Sequence, residues 1–192
     1  RMRASLVVEP GTALALDRTT FVAQTARIAS TLGWQTALKD ARFATRQADG
    51  NFAHDVGIAA SEVELPQGMR AAFDPNGILP ETLEELRLDA TLGFDRAVDR
   101  HAFSGGPRPR VDRIDLNDAA LIWGGIEIGA TGTLDIGADR LPVGDITLTS
   151  AEWRKEVQIT ANSGLIQPEF VPTLEALFQS LAAADGTPDV LS

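Results

Sequence analysis

The chain of 192 residues contains no cysteine and no tyrosine, and it has only two histidines. Without cysteine it can form no disulfide, thiol nucleophile, finger-type zinc site or thiolate-held iron–sulfur cluster. The lack of tyrosine removes one possible general acid. These absences exclude several classes of enzyme and metalloprotein, but they do not fix a cellular compartment.

The sequence also lacks a long apolar run and an excess of positive charge. No stretch approaches the roughly 18 apolar residues of a transmembrane helix, and no signal peptide is recognisable. The formal net charge is −10, whereas binding to nucleic acid or to anionic headgroups generally needs a basic footprint. We therefore expect no nucleic-acid partner, and membrane association only through segments outside this chain.

The remaining composition indicates a folded protein with a sizeable core, since 44% of the residues are hydrophobic and 23% charged. We expect one domain over residues 1–192, with a possible internal boundary at the Gly- and Pro-rich loop 104–110 (SGGPRPR). Because the chain begins inside a strand-like run and ends just after a turn, we expect it to be part of a longer protein.

The strongest pattern is strict alternation of apolar and polar residues, which predicts strands with one buried and one wet face. It runs over residues 126–136 and again over 86–96. Shorter extended stretches are predicted at 2–8, within 12–30 and at 43–47. Residues 56–65 also alternate, but the apolar phase changes before Val63, which predicts a β-bulge.

Helical spacing is predicted in four places. A short amphipathic helix is expected at 32–40 and one helical turn at 80–85. A capping box of Thr149 and Glu152 predicts a helix starting at Thr149 and ending at Gly164, and a second helix is expected from about Pro168 to Gly186 and Pro188. The predicted fold class is α+β: a twisted antiparallel sheet of long amphipathic strands, with the two C-terminal helices packed on its apolar face.

Signatures of catalysis and metal binding are missing. Neither His54 nor His101 has a second ligand at helical metal spacing, and the glycine-rich residues 124–132 lack the following Lys-Ser or Lys-Thr of a phosphate loop. There is no G-x-S-x-G motif and no D-x-D-x-D-G calcium loop. We therefore predict no catalytic residue, no metal and no cofactor.

An apolar groove between sheet and helices is the one binding site that the pattern suggests. It would be lined by apolar residues of the alternating strands and the tryptophan before them: Leu88, Leu92, Trp123, Ile128 and Leu134. The alternative is that these side chains are plain core, with Trp123 and Trp153 fixing the helices to the sheet. The sequence does not separate the two interpretations.

Three motifs carry a resemblance to a known family. They are W-G-x-I-x-I-x-A-x-G-x-L-D at 123–135, L-P-x-G-x-I-x-L-T-x-x-x-W at 141–153, and G-L-I-Q-P at 164–168 followed by A-A-A-D-G-T-P at 182–188. The pattern resembles an uncharacterised alphaproteobacterial family, domain of unknown function 2125. The resemblance implies a periplasmic, envelope-located protein with an additional N-terminal hydrophobic segment and a further C-terminal strand. In style, the long strands are also similar to the grooved sheets of AsmA-type lipid carriers.

The resulting expectation is a non-enzymatic envelope protein that binds a lipid-like apolar ligand, or a partner protein, along its sheet. The alternative is a structural or assembly module of the envelope with a filled core and no small-molecule ligand. A hydrolase that uses Asp and His is the third hypothesis.

Overall fold

In the computed structural model, which describes residues 1–102 and 104–184, an antiparallel sheet of nine strands dominates the chain. The strands are β1 (Met2–Val8), β2 (Leu16–Ala23), β3 (Ala26–Ala29), β4 (Gln35–Gln47), β5 (Ala53–Glu64), β6 (Thr82–Phe94), β7 (Val111–Trp123), β8 (Ile126–Ile136) and β9 (Pro142–Ser150). The helices are α1 (Gln67–Phe73), α2 (Trp153–Ser163) and α3 (Val171–Ala184), with 3-10 turns at Arg100–Ala102 and Pro168–Phe170.

The sheet is open, and its strands follow one another in the order β1-β2-β4-β5-β6-β7-β8-β9, with β3 paired to β4. Each of these pairings is antiparallel. The loop at 104–110 joins β6 to β7, which are direct neighbours in this sheet. The α+β class with a twisted antiparallel sheet is confirmed.

The alternating stretches are strands as predicted, and β8 has the bounds that its alternation indicates. The phase change in β5 is accommodated at Glu62, which has a positive φ of 46°, and Asp40 of β4 also has a positive φ, of 50°. The register of β4 and β5 shifts on both sides of Lys39. The predicted bulge is therefore present, with one irregular residue in each strand.

The helix predicted at 32–40 is wrong. Residues 30–34 form a tight turn, closed by hydrogen bonds from Gly33 N to Ser30 O and from Ser30 N to Trp34 O. The chain then enters β4, where Leu38 pairs with Ala26 of β3. Pairing with two neighbouring strands prevails over the weak helical spacing of this segment.

Two further helical predictions need correction. Thr149 does not start a helix, because it still pairs with Gly129 in β9; α2 begins at Trp153 instead. The helical turn at 80–85 is strand, since Thr82 pairs with Glu64. Helix α1 was not predicted, and the expected helix end at Gly186 and Pro188 lies outside the described residues.

The buried core is small and lies at one end of the sheet. Leu79, Leu83, Trp123 and Ile126 form its centre, and Ile159 of α2 packs against them. Helix α2 contacts β8 here, while α3 packs on α2 through an edge-to-face contact of Phe178 with Trp153 at 5.8 Å between ring centroids. Gly164 ends α2 in the left-handed conformation, as predicted. None of the described helices has the length and apolar character needed to cross a membrane.

Candidate binding face

The strand register places one unbroken line of apolar side chains across the sheet. Residues directly opposite each other in neighbouring antiparallel strands share a face. Following the pairs from β1 to β9 gives a line that we call the apolar row: Ala4, Phe21, Phe43, Ile58, Leu88, Ala119, Ala130 and Leu148. At about 4.8 Å between strands the row is about 34 Å long. The same face continues on both sides of it with mainly aliphatic residues in β5 to β9, and with Thr19 and Thr45 on one side in β2 and β4.

A bulge in β7 keeps this face apolar where the sequence alternation fails. Leu116 and Ala119 are separated by two polar residues, so strict period-2 geometry would put them on opposite faces. The register shift between them pairs Leu116 with Gly132 and Ala119 with Ala130. Both side chains therefore lie on the face that carries the apolar row.

The apolar face is open to solvent over much of its area. Phe43 is 36% exposed and Ile128 39%, while Leu148 near one edge and Leu6 near the other reach 61% and 65%. Monomeric soluble proteins rarely expose a contiguous apolar surface of this extent, and where they do it commonly marks a binding site. The core residues Trp123 and Ile126 lie at the end of β7 and β8, away from the pair Ala119 and Ala130 through which the apolar row passes.

The five residues predicted to line a groove all lie on this face by register. Leu88 belongs to the apolar row, and Leu92 and Leu134 flank it through their shared neighbour Ile114. Ile128 is exposed, whereas Leu88, Leu92 and Leu134 are half-buried. Trp123 is different: it is 6% exposed in the core, and its indole N–H donates to Pro80 O at 3.0 Å. Contact of these residues with a ligand stays a prediction.

The opposite face is polar and carries cross-strand ion pairs. Arg46 donates to Asp55 at 2.9 Å, Arg87 to Asp118 at 2.6 Å, and Arg113 bridges two carboxylates. A hydrogen bond from Thr91 and the adjacent Arg46 together lower the pKa of Asp55. We name this surface the polar face. Its exposed pairs contribute little to stability, but they mark it as the hydrated side of the sheet.

The glycine-rich residues 124–132 serve the geometry of the sheet. Gly124 and Gly125, with φ of 58° and 86°, form the two-residue turn between β7 and β8. At Gly132 a Cβ would collide with the backbone oxygen of Asp145 in β9. These glycines permit close approach of backbone, and their position inside a hairpin is unlike that of a phosphate loop.

The two histidines lie in different surroundings. His54 is 6% exposed on the apolar face and meets Phe94 edge-to-face, with ring centroids 6.0 Å apart. Burial lowers its pKa, and the nearby carboxylates Asp17 and Asp55 act in the opposite direction. His101 is exposed in the 3-10 turn. Within residues 1–102 and 104–184, no group of three or more His, Asp or Glu side chains is placed to hold a metal ion.

The protein is an α+β protein with an open antiparallel sheet, and helices pack at one end of that sheet. One face of the sheet is hydrated and the other is an exposed apolar surface. The chain belongs to the family described as an uncharacterized protein conserved in bacteria, domain of unknown function 2125, whose model matches residues 1–192. No curated protein and no solved structure matches it.

Proposed function

We propose that this protein binds a lipid-like apolar ligand along the exposed apolar face of its sheet, without catalysing a reaction on it. The observation that carries the proposal is the apolar row, which crosses all eight strands of the main path without a charged residue. Its length of about 34 Å exceeds the roughly 15 Å occupied by an acyl chain in half of a bilayer core. An acyl chain of that length therefore fits along it.

The driving force would be the removal of apolar surface from water. Covering exposed side chains such as Phe43, Ile128 and Leu148 gains about 25 cal/mol for each Å² buried. The face offers few polar groups that could fix one headgroup, so we expect selectivity for apolar length rather than for a particular lipid. Leu88, Leu92, Ile128 and Leu134 are the contacts that we expect to matter most.

The expected setting is the bacterial envelope. That location rests on the family resemblance and is part of the proposal. Fractionation of cells that express the full-length protein, with a periplasmic and a cytoplasmic marker, tests it independently of ligand binding.

Titration with a fluorescent fatty acid tests the binding proposal, using two aspartate variants of the same strand. Ile128→Asp places a carboxylate on the apolar face, whereas Thr131→Asp places one on the polar face at a residue that is already exposed. We expect Ile128→Asp to weaken binding by at least about tenfold, since an ionised carboxylate against an acyl chain is strongly unfavourable. Thr131→Asp should bind like the parent. Absence of uptake by the parent protein, or equal losses in the two variants, would remove the proposal.

A partner protein is the second candidate, and the free edge of β9 favours it. Val143 is 72% exposed and Leu148 61%, and β9 carries one charged residue, Asp145. An unprotected edge of this kind can accept a strand from another chain. Val143→Lys, which adds a charge to this edge on the polar side of the sheet, would weaken capture of such a partner and leave fatty-acid binding intact.

A further inference from the structure

The polar face is divided by charge, and its β1–β2–β4 end is basic. Four arginines lie there, namely Arg3 of β1, Arg18 of β2, and Arg42 and Arg46 of β4, and we call them the arginine cluster. The register puts no carboxylate beside them on this face of β1, of β2 or of residues 41–47 of β4. In a chain of net charge −10 this local excess of cations is unexpected from composition.

Three of the four arginines have no acidic partner. Arg46 donates to Asp55, but Arg3, Arg18 and Arg42 form no ion pair or side-chain hydrogen bond with any residue that the structure describes. Arg18 stands directly opposite Arg46 across the β2–β4 ladder. Like charges in that position destabilise a sheet, so an anion between them would relieve a repulsion that the fold itself leaves in place.

The side chains between the arginines are small. The row of Ser5, Thr20, Ala44 and Gly57 crosses the strands between Arg3 and Arg42 on one side and Arg18 and Arg46 on the other. A hollow of about 410 Å³ opens above it, with Arg18, Thr20 and Arg46 in its wall. A second hollow of about 460 Å³ includes Arg42 and shares Ala44 and Gly57 with the first.

The carboxylates of these hollows lie toward β5, β6 and β7 and are engaged. Asp55 accepts from Arg46 and Thr91, and Asp89 accepts from Asn117 Nδ2 at 3.1 Å. Asp118, in the wall of the second hollow, accepts from Arg87 at 2.6 Å. The guanidinium groups without an acidic partner and the hydroxyls of Ser5 and Thr20 lie at the β1–β2–β4 end. A ligand that carries negative charge would therefore settle over Thr20, away from the carboxylates.

We infer that the arginine cluster is a binding site for a phosphate-bearing ligand. The fork of donors on a guanidinium matches the oxygens of a phosphate, and the Ser5 and Thr20 hydroxyls add neutral donors on the floor. The pair Arg3 and Arg42 and the pair Arg18 and Arg46 lie four residues apart along β2, about 13 Å. Their long side chains can therefore reach a ligand between them from both sides. That spacing suits a ligand with two linked phosphates better than a single one.

The site lies on the face opposite the apolar row, so it does not depend on the proposed lipid-like ligand. The phosphate could come from a soluble compound or from a lipid headgroup that the protein meets at a membrane surface. The chemistry of recognition is the same for both sources.

Calorimetric titration of the intact protein with inorganic pyrophosphate, in buffer free of phosphate, tests the site. We expect the double variant Arg18→Ala/Arg42→Ala to bind at least about tenfold more weakly, because each lost guanidinium removes charge-assisted hydrogen bonds. Arg108→Ala is the matched control: Arg108 is an exposed arginine of the loop at 104–110, and its removal changes net charge without touching the cluster. Flotation with phosphatidylglycerol vesicles, against phosphatidylcholine vesicles, forms the second arm.

Pyrophosphate binding that the double variant loses and the control keeps supports a soluble phosphate ligand. Vesicle binding with the same dependence on Arg18 and Arg42 supports a lipid headgroup. Failure of both probes, or binding that falls equally in Arg108→Ala, overturns the inference. A normal far-ultraviolet spectrum and melting temperature of the double variant confirm that the fold is retained.

Discussion

A pair of leucine truncations tests where the stability of this sheet resides. Leu83 of β6 is 3% exposed in the core beside Trp123, whereas Leu148 of β9 is 61% exposed on the apolar face. Truncating a buried leucine removes its transfer free energy and leaves a cavity, so Leu83→Ala should cost about 3 to 4 kcal/mol. Full burial of a leucine is worth about 1.5 to 3 kcal/mol, and Leu148 is covered only in part; Leu148→Ala should therefore cost less than about 1 kcal/mol.

Urea unfolding of the ligand-free protein, followed by tryptophan fluorescence and by circular dichroism, measures both costs. The fluorescence of the buried Trp123 and Trp153 reports on the core and the helix pair, and circular dichroism reports on the whole sheet. Equal losses in the two variants would mean that the apolar face is covered in solution. That result would refute an open face and a core confined to one end.

Three other perturbations have defined outcomes. Gly144→Ala should destabilise the protein by about 2 kcal/mol, because its Cβ would collide with the backbone oxygen of Thr133 across the β8–β9 ladder. Asp74→Ala should cost about 1 to 3 kcal/mol, because its buried carboxylate accepts from the backbone N–H groups of Ile78 and Leu79. His54→Leu should flatten the pH dependence of stability between about pH 7 and pH 5. Burial lowers the pKa of His54 in the native state, whereas in the unfolded chain the pKa is near 6.5. On acidification the unfolded chain therefore binds a proton that the native state does not, and the stability of the parent protein falls.

Each of these has a control of the same chemistry in a permissive place. Gly57→Ala adds a Cβ that meets nothing within 4 Å, and Asp49→Ala removes an exposed carboxylate in a turn; thermal melts should show little change for either. His101→Leu, at an exposed histidine, should keep the slope that His54→Leu loses. A loss of stability in Gly57→Ala as large as in Gly144→Ala would contradict the steric argument. Unchanged stability in Asp74→Ala would contradict the role of its hydrogen bonds. An unchanged slope of stability against pH in His54→Leu would contradict the argument from its lowered pKa.

The long strands were predictable because their alternation is a direct consequence of a sheet with one wet face. In β8 every second residue from Ile126 to Ile136 is apolar or glycine, and no other regular structure gives that period. The bulge in β5 was also predictable, since a phase change in the pattern has few other solutions. The family resemblance was confirmed over residues 1–192.

What escaped prediction depends on contacts distant in sequence. The helix expected from Thr149 begins later because pairing with Gly129 extends β9 through Ser150. The capping box predicted from Thr149 and Glu152 is wrong as well, since α2 has Glu152 at its N-cap and no side-chain cap hydrogen bond. The Ser150 hydroxyl instead donates to the buried carboxylate of Glu156 at 2.5 Å. The arginine cluster was equally invisible, since Arg3, Arg18 and Arg42 are far apart in the chain and only the register brings them to one face.

The most direct test of an apolar binding face is photolabelling with a fatty acid that carries a diazirine near its methyl end, followed by peptide mapping of the cross-links. Labels should fall on the apolar face of neighbouring strands, at residues such as Leu88, Ile128 and Leu148, and be absent from Thr131 on the polar face. Labels spread over both faces, or confined to the arginine cluster, would contradict binding along the apolar row.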